Sequence, residues 1–173
     1  MKTGFDIRIH DTAVINHPEL VVFGNHISID IGVYISTAAS IGDYVHIAPY
    51  VCIIGGAGGF IEMGDFTNIG TGAKVIVIGD DFSKGMLNPI VPVKYRNLIG
   101  GVVVMKAFSV IGANSVVMPN VRMAEGSALG ANSFLNKDTE PWKIYAGSPA
   151  KIIGIRDKKW IIESAKELGY EGI

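Results

Sequence analysis

From Phe23 onward an apolar side chain returns at every sixth residue, at Ile29, Ile35, Ile41, Ile47 and Ile53. After a four-residue insertion the series resumes at Met63, Ile69 and Val75, and it returns at Ile99, Met105, Ile111, Val117, Met123, Leu129 and Leu135. A second column, four residues behind the first, is small or β-branched. It comprises Ile27, Val33, Ala39, Val45, Val51, Ala57, Thr67, Ala73, Val103, Ser109, Ser115, Val121, Ser127 and Ser133. A period of six suits neither an amphipathic helix, which repeats every 3.6 residues, nor an alternating strand. Both columns are buried together if each hexad makes one short strand with a bulky and a small inward residue, followed by a tight turn. Flat faces of such hexads then stack at strand spacing, about 4.8 Å.

Composition agrees with many short strands and turns. Glycine occurs 22 times in 173 residues, well above the average of roughly 7%, yet 49% of the chain is hydrophobic, which excludes a disordered glycine-rich chain. Glycine often follows the bulky column, as in Ile41-Gly42, Ile69-Gly70, Ile111-Gly112 and Leu129-Gly130. The length supports one domain. A net charge of −1 argues against nucleic acid, which calls for a basic stripe. The single cysteine, Cys52, excludes an intrachain disulfide framework and fits a reducing compartment. The opening Met-Lys-Thr-Gly-Phe-Asp lacks the apolar core of a secretory signal, and no stretch approaches the length of a membrane span. A cytoplasmic protein without membrane insertion is expected.

The repeat resembles that of the hexapeptide-repeat acyltransferases, over about residues 20–155. The most specific stretch is C-terminal: Ile111-Gly112-Ala113-Asn114-Ser115, Met118-Pro119-Asn120-Val121 and Gly130-Ala131-Asn132-Ser133 lead into Lys137-Asp138. Tyr145-Ala146-Gly147-Ser148-Pro149-Ala150-Lys151 is similar to the segment with which many members end their coenzyme A groove. The resemblance implies an all-β solenoid, a left-handed parallel β-helix with three hexads per triangular coil. It also implies a homotrimer with its sites between subunits, and transfer of an acyl group from acetyl-CoA to a small-molecule sugar acceptor. On this basis the chain divides into an N-terminal cap over 1–20, the helix domain over 21–155 with an inserted loop at about 79–97, and a C-terminal α-helix and tail over 156–173.

The candidate residues follow from the register. His46 closes the hexad Ile41-Gly42-Asp43-Tyr44-Val45-His46, next to inward Val45, so its ring faces outward. One coil is eighteen residues, which places Ser28 on one side of His46 and Asn68, beyond the insertion, on the other. In the family a histidine beside the donor groove acts as general base, and His46 is the candidate. The maltose and galactoside acetyltransferases carry their histidine where the coil enters the large loop, but here that place reads Val77-Ile78-Gly79-Asp80-Asp81. Asp80 and Asp81 are therefore the alternative catalytic pair, since a buried pair of acids raises one pKa and allows base work. They are otherwise solvated turn formers, or anchors for a cationic or hydroxyl-rich acceptor.

Asn88-Pro89-Ile90-Val91-Pro92, with Lys94, Tyr95 and Arg96, forms a stiffened arm; Asn68, Asn88, Lys94, Tyr95 and Arg96 are the acceptor-site candidates, with the two cations set for phosphates. The resemblance places the donor along the groove between adjacent coils, its amides against backbone at small-residue positions such as Ala113 and Ala131 and its phosphates near Lys137, Lys151 and Arg156. No metal is expected. His10 and His17 precede the repeat as surface residues, and His26 occupies a turn. The acceptor expected is an amino group of a nucleotide-linked deoxyamino sugar destined for surface polysaccharide such as lipopolysaccharide. A sugar hydroxyl is the alternative within the same chemistry. A zinc hydrase of the same fold, needing three converging histidines, and a non-catalytic solenoid are the alternatives of another kind. Beyond the coil, Asp157 is expected to cap a helix carrying Trp160, Ile161, Ala165 and Leu168, with Gly169 at its stop.

Overall fold

A computed structural model describes residues 4–170. Three parallel sheets wind around one dry core. The first face has eight strands, from Ile7–Ile9 through Ile27–Ile29, Val45–Ile47, Asn68–Ile69, Val110–Ile111 and Ala128–Leu129 to Lys143–Ala146 and Lys151–Ile155. The second face has six, running from Val14–Ile15 to Phe134–Leu135, and the third has five, from Val21–Phe23 to Arg122–Met123. Within each face the ladders are parallel, except that Lys151–Ile155 turns back antiparallel on Lys143–Ala146 and closes the last coil.

Both sequence columns point inward. Ile29, Ile35, Ile47, Ile53, Met105, Ile111 and Leu129 are buried with Val33, Val51, Ala73 and Val103 in a single core, and the inward serines at 109, 115, 127 and 133 are buried beside them. Burial of a bulky aliphatic side chain contributes roughly 1.5–3 kcal/mol, so the repeat itself is the main source of stability.

Two column members depart from this pattern. Ala57 is exposed on the Gly55–Gly59 excursion. Ile99 is 40% exposed because Leu98–Gly100 belongs to an antiparallel pair with Ile78–Asp80, a hairpin whose alternation mimics the hexad. The arm proper is thus 81–97, and it leaves the coil at the edge between the second and third faces. The described part of the N-terminal segment continues the coil. Ile7–Ile9 and Val14–Ile15 pair in register with Ile27–Ile29 and Tyr34–Ile35 and form the opening coil.

The edge between the third and first faces carries a column of stacked rings. His26 lies on Tyr44 at 4.5 Å, Tyr44 on Phe66 at 4.8 Å and Phe66 on Phe108 at 5.0 Å between centroids. These spacings match the 4.7–4.9 Å between strands. Each ring sits on a left-handed residue, with φ of 56° to 62°, a conformation that disfavours non-glycine residues by roughly 1–2 kcal/mol and that stacking helps offset. Gly126 takes the next place, and a Cβ there would collide with the indole of Trp142, which leans over it toward Phe108. The helix Lys158–Glu167 packs on this column through Ile161, Ile162 and Ala165. Asp157 caps it by accepting from the Trp160 N–H at 3.1 Å, whereas Trp160 and Leu168 stay exposed.

Candidate active site

On the first face the outward residues Ser28, His46 and Asn68 stand in one cross-strand row, as the coil count predicts. His46 uses both ring nitrogens. Nδ1 lies 2.9 Å from the Asn68 side-chain oxygen and Nε2 lies 2.8 Å from Asp30 Oδ2. The Ser28 hydroxyl donates to Asp30 Oδ1 at 3.3 Å. The imidazole remains 47% exposed, so a substrate can approach it from outside the coil. The register did not point to Asp30, which lies in the turn just past the strand Ile27–Ile29.

Asp80 and Asp81 are committed elsewhere. Asp80 accepts a two-pronged pair from Arg96, Nε to Oδ1 at 3.0 Å and Nη2 to Oδ2 at 2.8 Å. Asp81 accepts from the Ser83 backbone N–H at 2.9 Å and hydroxyl at 2.7 Å, and from the Asn97 amide at 2.8 Å. The Arg96 hydrogen bonds hold the Asp80 carboxyl below the usual carboxylate range, and the bonds from Ser83 do the same for Asp81. The expected raised pKa of an acid pair is therefore corrected: each acid faces a donor of its own, and both are poor bases. Arg96 is likewise no free cation for a phosphate.

Elsewhere on the arm, Asn88 accepts the Ile90 N–H at 2.9 Å in a local turn, and Lys94 lies over the ring of Tyr95 at 4.9 Å. Lys94 and Tyr95 remain exposed. The arm and His46 stand on opposite sides of the coil, since the first face lies across from the edge where the arm departs.

Ala113 and Ala131 occupy successive coils at the edge between the first and second faces, joined by the Asn132 N–H donating to the Ala113 carbonyl at 2.9 Å. Their side chains are small, and Lys137 and Lys151, further along the chain, are exposed. Arg156 is a correction. Its Nη1 donates to the Phe108 carbonyl and, at 2.9 Å, to the Gly126 carbonyl, and burial depresses its pKa. It is a strut between coil and helix, not a phosphate ligand. Among the described residues no cluster of three or more His, Cys, Asp or Glu side chains could hold a metal, and no helix is long and apolar enough to cross a membrane.

No family model matches the chain. It is 34% identical, over 91% of its own length and 83% of the relative's, to the dTDP-4-amino-4,6-dideoxy-D-glucose acyltransferase of Escherichia coli. A crystal structure of a variant of AntD, an N-acyltransferase from Bacillus cereus, in complex with dTDP-4-amino-4,6-dideoxyglucose and coenzyme A, superposes with a TM-score of 0.92. Identity there is 36%, over 97% of this chain and 90% of that one. AntD in complex with dTDP and 3-hydroxybutyryl-CoA gives a TM-score of 0.91 at 35% identity, over 96% and 89% of the two chains.

Proposed function

Because the chain belongs to the hexapeptide-repeat acyltransferase family that includes the dTDP-4-amino-4,6-dideoxyglucose acyltransferase, we propose that it N-acylates a dTDP-linked 4-amino-4,6-dideoxy sugar, with acetyl-CoA as donor. The observation that carries this is the near-complete superposition on a chain holding that nucleotide sugar and coenzyme A. The opposed placement of His46 and the arm supports a homotrimer in which the first face of one subunit meets the arm of the next. Beside the base of the arm, Ile54 of the second face and Val102 of the third are left outward and suit such burial.

In this mechanism the acceptor amine attacks the thioester carbonyl. The new C–N bond forms, the C–S bond breaks, and His46 Nδ1 takes the proton that the amine must lose and returns one to the departing thiolate. Asn68 adjoins that nitrogen. The thioester supplies an activated acyl group, and alignment of amine and carbonyl provides much of the acceleration. The donor lies along the edge of Ala113 and Ala131 with Lys137 and Lys151 toward its phosphates. Lys94, Tyr95 and Asn88 of the arm face the nucleotide of the acceptor. The product is a building block for surface polysaccharide, made in the cytoplasm.

A thiol-release assay with acetyl-CoA against dTDP-linked amino sugars and their hydroxyl counterparts tests this. Release is expected with the amines. Turnover confined to the hydroxyl sugars would replace it with O-acetylation.

A further inference from the structure

We propose that Asp30 is a positioning residue that locks His46 in its Nε2–H tautomer and so makes Nδ1 the nitrogen that exchanges protons. This rests on the catalytic reading of His46. An ionised carboxylate can only accept hydrogen bonds, so the 2.8 Å contact from Nε2 to Asp30 Oδ2 requires the proton to stay on Nε2. The partner at Nδ1 is of another kind. The Asn68 amide has an acceptor end and a donor end, and the assignment of its oxygen and nitrogen follows the state of the ring. It offers its NH2 to a bare Nδ1 and its oxygen to a protonated one. Asn68 can thus accompany the ring through a full proton cycle, while Asp30 is compatible with one tautomer throughout.

The carboxylate is itself held. Its other oxygen accepts from the Ser28 hydroxyl at 3.3 Å, and the Asp30 backbone N–H donates to the Ile47 carbonyl at 3.0 Å. The loop that bears Asp30 is thereby tied to the strand that bears His46, and their separation is set by the coil pitch.

The test uses full-length protein with 15N-labelled histidine. In the wild type the neutral His46 ring should show a protonated-type Nε2 and a bare-type Nδ1 chemical shift. Asp30→Asn, which can donate as well as accept, should mix the tautomers, lower kcat roughly tenfold to a hundredfold and leave both KM values within about twofold. Asp30→Glu, which keeps an acceptor-only group, should return the Nε2–H tautomer. The double variant Asp30→Asn/His46→Ala should be no slower than His46→Ala alone, because Asp30 acts through His46. An unchanged tautomer in Asp30→Asn, or losses that multiply in the double variant, overturns the proposal. A wild-type rate in His46→Ala removes the catalytic reading instead, whatever the tautomer does.

Discussion

Arg96 and Asp80 close the base of the arm face to face, guanidinium on carboxylate, sixteen residues apart in the chain and largely shielded from solvent. Arg96→Ala should free 81–97 while leaving the coil intact. Trypsin should then cut at Lys84 and Lys94 faster than in the wild type, with no change in melting of the core. The pH dependence has a definite sign. A carboxylate whose pKa is depressed on folding contributes fully above its unfolded pKa and loses that contribution as pH falls through the folded value. The protection factors of amides at the arm base should therefore hold above the ordinary carboxylate value of 3.8 and fall as pH drops below it, and Asp80→Asn should show the weak protection at neutral pH.

Tyr170 fastens the end of the C-terminal helix by donating to Asp65 Oδ2 at 2.6 Å. That bond, with a smaller contribution from burial, raises the phenol to about 12 from 10.0. Since the neutral phenol is the favoured form in the fold, its contribution is complete below pH 10.0 and disappears as pH rises through about 12. Absorbance titration should show one tyrosine ionising late. Tyr170→Phe should abolish that late step and destabilise the protein by roughly 1 kcal/mol, allowing for partial solvent screening.

Ile111 is 1% exposed in the middle of the core. Ile111→Asp would place a charge without a partner in a dry interior, and no folded protein is expected by circular dichroism. Ile111→Val should fold and lose roughly 1 kcal/mol. A normal melting curve for the aspartate variant would mean that this column does not face inward.

His46→Ala should leave assembly and acetyl-CoA binding intact while kcat/KM falls by roughly 10²–10⁴. The residual rate should climb with pH as the free amine of the acceptor accumulates. A loss below about tenfold with wild-type pH dependence would return His46 to a surface role.

Sedimentation at micromolar concentration should give a trimer. A stable monomer would separate His46 from the arm and remove the proposed site.

The coil was legible because its inward positions admit only a bulky apolar residue in one column and a small or β-branched one in the other, where a hydroxyl can bond locally, as Ser115 does to the Gly130 carbonyl at 2.7 Å. Counting in eighteens then put Ser28, His46 and Asn68 side by side without any structure. What escaped was pairing outside the repeat. The hairpin of Ile78–Asp80 and Leu98–Gly100 alternates like a strand, so Ile99 passed for a core residue. Arg96 and Arg156 looked like free cations because a sequence shows a charge and not its partner. One is spent on Asp80, the other on two carbonyls brought together by coils 18 residues apart. Asp30 was hidden for the same reason, as a turn residue in a motif where turn residues are commonplace.

The column of rings from His26 to Phe108 has a consequence for how such a chain can change length. Both interruptions, at Gly55–Gly59 and at the arm, leave the coil at the edge away from the rings, and the rings keep their spacing across them. The column therefore works as a ruler. Adding or removing a whole lap at a terminus preserves its graduations, and extra residues are absorbed at the edge opposite the first face. A single residue inserted between Gly42 and Tyr44, or between Gly64 and Phe66, would shift one mark against the next and turn inward side chains out along every lap that follows.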